Sequence, residues 1–393
     1  MALTTMATMA VAGRPPLLDF SPTELRLIEQ HGPWPLPEAR DAGNAQAGNP
    51  QAIALGQKLF FDRRLSPGGQ LSCASCHAPA RAFADGRVRS LGRGGEMLDR
   101  NAPSLWNGVH ERWYGWDGAA DSLWSQAIRP LLDTREMASS AEHIAATIGG
   151  DKELGCRYRQ VFGRDAQVKP QATLVDAAKA IGAFTGTLVS GRTAFDLFRD
   201  ALARKDTRTA SNYPLAAQRG LRLFVGRARC NVCHIGPLFT NGEFGDIGLP
   251  FFIRPGMVDP GRHAGIAALR ASHYNLMSSW SDAPANDAAG TKTRHVNAQH
   301  RNFGEFKVPS LRNAAQTAPY MHDGQLATLP EVVRHYSELN LERLHADGEQ
   351  ILAPLRLSEQ ESSDLLAFLK TLSDPHAKAW KARPTPRCLD AKP

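Results

Sequence analysis

Hydrophobic residues recur along most of this chain at the three- to four-residue spacing that is typical of helices. Alternation of the kind that predicts strands never extends beyond a few residues. Capping boxes mark two helix starts, Ser21 with Glu24 and Ser358 with Glu361. The pattern therefore predicts a mainly α protein, with helices at about 50–61, 121–130, 139–149, 171–189, 214–226 and 358–372.

The segments between these helices are long and polar. Residues 62–118 are rich in Gly, Arg and Asp, and so long an irregular stretch is unusual unless it wraps around something. Residues 201–213 are polar and are the best candidate for a domain linker. Residues 280–303 are predicted to form a surface loop.

The chain also contains an internal repeat. LGQKLFFDRRLS…LSCASCH and AQRGLRLFVGRARCNVCH share one plan, namely a helix, Leu-Phe, an arginine and then Cys-x-x-Cys-His. The repeat predicts two copies of a small helical domain with long irregular loops. We assign residues 1–48 to an N-terminal arm, 49–205 and 206–375 to the two domains, and 376–393 to a tail.

Composition excludes several classes of protein. Of the 393 residues, 42% are hydrophobic and 22% are charged, as in ordinary globular proteins. No apolar run reaches the about 18 residues that a membrane span needs. The net charge of +7 favours an acidic protein partner. Basic residues are scattered and no nucleic-acid motif occurs, so we expect no binding of DNA or RNA.

Two Cys-x-x-Cys-His motifs carry the strongest chemical signal, and this spacing is the attachment motif of c-type haem. Two thiols three residues apart form thioethers to one haem, and the histidine that follows reaches the iron. A redox cysteine pair or half of a zinc site is the alternative. We therefore expect two covalent haem c groups, at Cys73, Cys76, His77, Cys230, Cys233 and His234.

Covalent haem attachment takes place outside the cytoplasm, which favours export. Ala10-Val11-Ala12 has the A-x-A pattern of a signal-peptidase site, but a basic n-region and a full apolar h-region are missing. We expect a periplasmic protein whose first residues are the last part of an export signal, with a floppy Ala-rich tail as the alternative. In an oxidising compartment Cys156 and Cys388 could pair, but the sequence leaves this open.

The segment LPEVVRHYSEL places His335 beside Tyr336 on a predicted helix. Tyr336 lies near the centre of one apolar stripe, and His335 lies about 100° away from it. An inward-facing tyrosine could bind iron, and an ordinary core tyrosine is the alternative. The other members of the stripe are Leu329, Val332, Val333 and Leu339.

Longer motifs give the chain a specific resemblance. LFFDRRLS, SCASCHAPARAFADGR, RNAPSLWN, WYGWDG, SQAIRPLLDTREM, FKVPSLRN and TAPYMHDG resemble the bacterial di-haem cytochrome c peroxidase family, which includes the MauG-type enzymes, over about residues 50–372. The resemblance implies two cytochrome c-like domains. It implies a peroxidatic haem in the N-terminal domain and an electron-relay haem in the C-terminal domain.

The resemblance also implies roles for single residues. Gln126 and Glu136 match the distal pair of the peroxidatic haem, where a carboxylate moves the peroxide proton and an amide holds the oxygens. Trp116 matches the tryptophan between the haems. Without the resemblance, these residues would be taken for an exposed Gln, a helix-end Glu and a core Trp.

A calcium site between the two haems is implied in the same way. Asn101 and the backbone carbonyls of Thr317 and Pro319 match its ligands. Hard oxygen ligands suit this ion. Without the resemblance, these residues would be taken for a turn.

The chain departs at two positions from the peroxidases that need reductive activation. Those enzymes cap the resting peroxidatic iron with a histidine, but the matching residue is Arg93, and no histidine lies between His77 and His110. They also bind the second iron through a methionine fourteen residues after the PYxHDG-type histidine. Fourteen residues after His322 stands Tyr336, as in MauG-type enzymes. We expect an open first haem and Tyr336 as the sixth ligand of the second.

These features predict a hydrogen-peroxide-dependent MauG-like oxidoreductase. The resemblance implies a high-valent state shared by two haems and oxidation of tryptophan in a partner protein, as in MauG and its relatives from methanobactin gene clusters. A cytochrome c peroxidase fed by a small cytochrome or cupredoxin is the first alternative, and Tyr336 argues against it because a phenolate lowers the iron potential. A non-catalytic di-haem electron carrier is the second, against which Gln126 and Glu136 argue.

Overall fold

The computed structural model describes residues 16–250, 252–254, 256–284, 287–348 and 351–388, so the A-x-A pattern at residues 10–12 lies outside the described part. The protein is mainly helical, which confirms the predicted fold class. Its helices are α1 (Pro22–Glu29), α2 (Pro50–Phe61), α3 (Cys73–Cys76), α4 (Leu123–Leu132), α5 (Ala141–Gly150), α6 (Lys152–Phe162), α7 (Pro170–Thr185), α8 (Ala194–Ala203), α9 (Thr207–Ala210), α10 (Leu215–Val225), α11 (Arg262–Ala271), α12 (Ala288–His295), α13 (Leu329–Ser337) and α14 (Glu359–Lys370).

Short strands accompany the helices. They are β1 (Phe244–Gly245), β2 (Phe252–Arg254), β3 (Met257–Val258) and β4 (Phe306–Lys307). β1 pairs antiparallel with β4, and β2 pairs antiparallel with β3. The predicted loop at 280–303 also contains α12, which begins at its N-cap Asp287. Strands of two or three residues are too short to leave an alternating pattern in a sequence.

Two hydrophobic cores divide the molecule. The first lies between α2, α4, α5, α6 and α7, and the second between α1, α8, α10 and α14. α8 falls within residues 49–205, but its Phe195 and Phe198 are buried in the second core. Phe195 packs against Phe239 and Phe368, and Phe198 stacks on Tyr213, all in the second core. Judged by packing, the change from one core to the other therefore comes before residue 194.

The same helix pair forms the centre of each core. In the first, α2 approaches α7 so closely that a Cβ on Gly56 would lie 1.8 Å from the carbonyl oxygen of Ala180. In the second, α10 approaches α14, and a Cβ on Gly220 would lie 2.0 Å from the carbonyl oxygen of Asp364. Only glycine permits such backbone contact. Both glycines belong to the repeated LGQKLF and RGLRLF segments, so the repeat is structural as well as chemical.

The two ends of the described chain cross to the opposite core. The N-terminal arm lies on the second unit, where the Leu18 N–H donates to Gln218 Oε1 at 2.8 Å. The C-terminal segment lies on the first, where Trp380 packs against Phe61 and Phe83 with ring centroids 5.9 and 5.3 Å apart. Cys156 and Cys388 form a disulfide, which answers the question that the sequence left open.

No helix in the ranges described above combines the length and the apolar character that a membrane crossing requires.

We expect the disulfide to contribute measurably to stability. It joins residues that are 232 positions apart, so it restricts the unfolded chain strongly. Replacing both Cys156 and Cys388 with serine should lower the free energy of unfolding by about 3–5 kcal/mol, measured by chemical denaturation. Haem content, which depends on other cysteines, should be unchanged. An unaltered denaturation midpoint would contradict this expectation.

Candidate di-haem site

The first motif presents its side chains from a short helical turn. Ser72 precedes α3, which carries Cys73 and Cys76, and His77 follows directly. The Nδ1 atom of His77 lies 3.1 Å from the carbonyl oxygen of Phe83, which leaves Nε2 as the nitrogen that can bind iron. Burial lowers the pKa of His77, so the imidazole is neutral at neutral pH, as an iron ligand must be.

The second motif repeats this arrangement. His234 Nδ1 lies 2.9 Å from the carbonyl oxygen of Phe239, and burial lowers the pKa of His234 to about 4. Phe83 and Phe239 both adopt left-handed backbone conformations, with φ of 57° and 55°. This uncommon conformation at equivalent positions turns each carbonyl towards the histidine ring. Each motif therefore leaves the Nε2 atom of its histidine available to an iron, as the predicted proximal role requires.

The motif cysteines fit haem better than the alternatives. The disulfide among the described residues is that between Cys156 and Cys388, so neither motif forms a redox cysteine bridge. In the described ranges, no motif cysteine belongs to a cluster of three metal-binding side chains, which a zinc site would need. Two thioether bonds and one histidine for each haem remain the arrangement that uses all six residues.

Glu136, a predicted catalytic residue, lies near the cysteines of the first motif. It is half-buried and its side chain makes no hydrogen bond within the described residues, while its charge is felt by Cys73 and Cys76. Burial, helped by Asp133, raises the pKa of Glu136 to about 7, and Arg129 opposes this rise. A carboxyl group with such a pKa both accepts and returns a proton near neutral pH.

Gln126 lies on α4, one turn before Arg129. Its Oε1 faces Arg129 Nη1 at 3.4 Å, so its amide N–H groups are left for another acceptor. The helix is fixed at its start by Ser122 and by the buried Asp41, which accepts from the Leu123 N–H at 2.7 Å. Asp41 was not identified in the sequence, because it lies 82 residues away in the N-terminal arm.

The loop that carries Arg93 is held away from the first motif. The Arg93 N–H donates to the carbonyl oxygen of Arg135 at 2.8 Å, and its side chain is exposed. Arg135 also binds Glu96 and Asp99, at 2.8 and 2.7 Å. At the position that matches the capping histidine, the Arg93 side chain is therefore exposed to solvent.

Tyr336 lies beside the second motif. Burial raises the pKa of the Tyr336 hydroxyl well above that of a free phenol, and the nearby Cys230 and Cys233 raise it further. Its hydroxyl makes no hydrogen bond to any described residue. His335 points elsewhere, because its Nε2 lies 2.8 Å from the carbonyl oxygen of Ile247. Tyr336, and not His335, is therefore the residue of this helix that lies near the second motif, and its role as a sixth ligand stays a prediction.

Trp116 lies where the two domains meet. Its indole N–H donates to the carbonyl oxygen of Asn101 at 2.9 Å, and its own carbonyl accepts from the Lys307 N–H at 2.8 Å. In the reverse direction, the Asn101 N–H donates to the carbonyl of His322 at 2.8 Å. Residues 101 and 307 are 206 positions apart, and so are residues 116 and 322. The two backbone hydrogen bonds are therefore equivalent, and each domain donates one of them to the other.

The three predicted calcium ligands all have unused oxygens. Asn101 is buried and its Nδ2 donates to the carbonyl of Arg87 at 2.7 Å, while its Oδ1 accepts no hydrogen bond from the described residues. Within the same ranges, the carbonyls of Thr317 and Pro319 accept none either. The donor set therefore fits a hard cation, although calcium stays a prediction.

A second set of metal-binding side chains lies on the surface. His300, His345 and Asp347 come together there. The Nδ1 atom of His300 lies 2.9 Å from Asp347 Oδ2, and the Asp347 N–H donates to His345 Nδ1 at 3.2 Å. These hydrogen bonds account for the cluster without an ion.

Comparisons agree with this geometry. A family model described as di-haem cytochrome c peroxidase matches residues 50–204. MauG of Methylorubrum extorquens is 33% identical, over 86% of this chain and 82% of its own. Cytochrome-c peroxidase IdrP1 of a Pseudomonas species is 34% identical, over 83% and 82%.

Solved structures give the same result. A MauG-like protein associated with microbial copper homeostasis is 30% identical with a TM-score of 0.64, over 88% of this chain and 96% of its own. The di-haem peroxidase BthA from Burkholderia thailandensis is 25% identical with a TM-score of 0.65, over 84% and 87%. The resemblance and the fold expected from the sequence are confirmed.

The neighbours Tyr336 and His335 offer a matched pair of variants. Tyr336→Phe should change the absorption and electron paramagnetic resonance spectra of the low-spin haem, because the ligand oxygen is removed. His335→Phe should leave those spectra unaltered, because its ring bonds Ile247 instead. Equal spectra for Tyr336→Phe and the native protein would mean that Tyr336 is only a core residue.

Proposed function

Because this chain belongs to the di-haem cytochrome c peroxidase family, we propose that it uses hydrogen peroxide at its N-terminal haem to oxidise tryptophan in a partner protein. The chain is an oxidoreductase, and its cofactors are haem c. Bound haem iron supplies the cleavage of the peroxide O–O bond and the storage of oxidising equivalents. The protein must supply proton transfer, a protected path between the haems and a way to hold the equivalents until a partner arrives.

The observation that carries this proposal is the position of Tyr336. It lies next to Cys230 and Cys233 in a desolvated site, and its hydroxyl has no partner in the described residues. A phenol in such a site ionises when a ferric ion takes its oxygen. A phenolate ligand lowers the iron potential, which favours storage of oxidising equivalents over the uptake of electrons from a donor protein.

Glu136 and Gln126 are proposed to handle the peroxide. The Glu136 carboxylate would take a proton from one peroxide oxygen and return it to the other, which would leave as water. The amide N–H of Gln126 donates to the bound oxygens and keeps them aligned, since its carbonyl faces Arg129. The Arg93 side chain is proposed to lie outside the cavity, so the enzyme would need no reductive activation before peroxide enters.

Trp116 is proposed to connect the two haems. It is half-buried and lies between domains that are joined on both sides of it by backbone hydrogen bonds. A calcium ion held by Asn101, Thr317 and Pro319 would fix the same region, because these residues belong to the segments that make those bonds. Covalent haem and the disulfide support a periplasmic location for the enzyme.

A cytochrome c peroxidase remains the second candidate function. Its support is the relative IdrP1, which is as similar to this chain as MauG is. A cytochrome c peroxidase takes electrons from a donor protein, whereas the enzyme proposed first takes them from tryptophan in a partner protein. The holoenzyme should be mixed with peroxide and a reduced small cytochrome c. We expect slow oxidation of the cytochrome, and rapid multiple turnover would favour the peroxidase instead.

The proposed base can be tested through its pH dependence. Glu136 is active as a carboxylate, and its raised pKa keeps it protonated at lower pH. The second-order rate constant with peroxide should therefore rise with pH through about 7. In Glu136→Gln the constant should fall by a factor on the order of 10²–10⁴ and lose this step.

Glu142→Gln provides the control for that measurement, because Glu142 is exposed at the start of α5. Its rate profile should match that of the native enzyme. If Glu136→Gln reacted with peroxide at the native rate, Glu136 would be ruled out as the base. This conclusion does not depend on whether Tyr336 is a haem ligand.

A further inference from the structure

The tryptophans of this protein fall into two groups. Three are fully buried, and each has a cation over its ring; four are only half-buried, and no lysine or arginine stands over them among the described contacts. The buried three are Trp34, Trp113 and Trp124, and the half-buried four are Trp106, Trp116, Trp280 and Trp380.

Trp113 has the densest positive surroundings. The Cζ atom of Arg262 lies 4.3 Å from the ring centroid, Lys292 Nζ 5.0 Å and Arg112 Cζ 5.8 Å. Only about 3% of Trp113 is exposed, and its indole N–H has no acceptor among the described residues. A buried indole in such surroundings resists losing an electron, because its cation would face the buried charge of Arg262 and the half-buried charge of Lys292, with a weaker contribution from the exposed Arg112.

The cations themselves are held in place and stay charged. Arg262 lies between Trp113 and Phe244, whose centroid is 3.9 Å from its Cζ, and it donates to the carbonyl of Gly118 at 2.9 Å. Burial lowers the pKa of Arg262 to about 10 and that of Lys292 to about 8, so both remain protonated at neutral pH.

Carboxylates also belong to this region. Glu243 binds Arg112 at 2.5 Å, and the charge of Asp121 acts on Lys292. The charges of Asp117, Glu243 and Glu305 act on Arg262. These carboxylates reduce the positive potential around Trp113. None of them accepts a hydrogen bond from the Trp113 indole, so none provides a site for the indole proton.

Trp116, three residues further on, has the opposite environment. Its indole N–H donates to a carbonyl oxygen at 2.9 Å, which stabilises a positive indole. No lysine or arginine stands over the Trp116 ring among the described contacts, whereas three stand over that of Trp113. The surroundings of the two tryptophans in the WYGWDG segment therefore disfavour oxidation of Trp113 and favour oxidation of Trp116.

We propose that Arg112, Arg262 and Lys292 form an electrostatic cage that prevents oxidation of Trp113 and confines electron transfer between the haems to Trp116. The proposal deepens the proposed function and rests on it. Without the cage, two oxidising equivalents would be lost at Trp113. Its indole would give up two electrons and two protons while adding the oxygen of one water molecule to become hydroxytryptophan, and one peroxide would be reduced to two waters.

The test uses an oxidant that does not depend on the haems. The native holoenzyme, Lys292→Met and Lys292→Arg are exposed to photochemically generated sulfate radicals, and oxidation of Trp113 and Trp116 is quantified by peptide mass spectrometry. We expect Trp113 oxidation to rise by a factor on the order of ten in Lys292→Met. Lys292→Arg, which keeps the charge, should behave like the native enzyme.

Arg112→Gln repeats the test at an exposed side chain, where the fold is not at risk, and should raise Trp113 oxidation as well. Native-level oxidation of Trp113 in both Lys292→Met and Arg112→Gln would overturn the proposal, and so would equal oxidation of Trp113 and Trp116 in the native enzyme. Peroxide is then used in place of the radicals. If it leaves the haem spectra unchanged, the proposed function fails, while the radical experiment still decides whether the cage exists.

Discussion

Two backbone hydrogen bonds hold the functional parts of this protein in register. The Asn101 N–H donates to the carbonyl of His322, and the Lys307 N–H donates to that of Trp116, both at 2.8 Å. Because residues 101 and 307 are equivalent in the repeat, as are 116 and 322, the domains meet with pseudo-twofold symmetry, like the subunits of an isologous dimer. This contact fixes the position of Trp116 where the two domains meet.

The repeat has diverged where chemistry is concerned. α4 follows Ser122 and α13 follows Thr328, again 206 positions apart, so both helices occupy the same place in their domains. Gln126 then corresponds to Val332, and Tyr336 to Pro130. One helix therefore carries the polar side chain that we propose for peroxide, and the other carries the proposed ligand of the second iron. On this proposal, one copy of the scaffold would be the reactive half and the other the storage half.

The sequence was sufficient for local features and insufficient for distant ones. The capping boxes at Ser21 and Ser358, the two haem motifs and the inward face of Tyr336 depend on neighbours within a few residues, and each was predicted. The disulfide between residues 156 and 388, the cap from Asp41 and the cage around Trp113 join segments far apart in the chain. No spacing rule relates such residues, so only the fold could bring them together.

One measurement tests directly whether the two haems act as a single oxidising unit. The resting holoenzyme is mixed with one equivalent of hydrogen peroxide, and the high-spin and low-spin ferric signals are quantified by electron paramagnetic resonance after rapid freezing. Our account predicts that both signals decrease together, since Trp116 links the open haem to the haem beside Tyr336. Loss of the high-spin signal alone, with the low-spin signal intact, would contradict it.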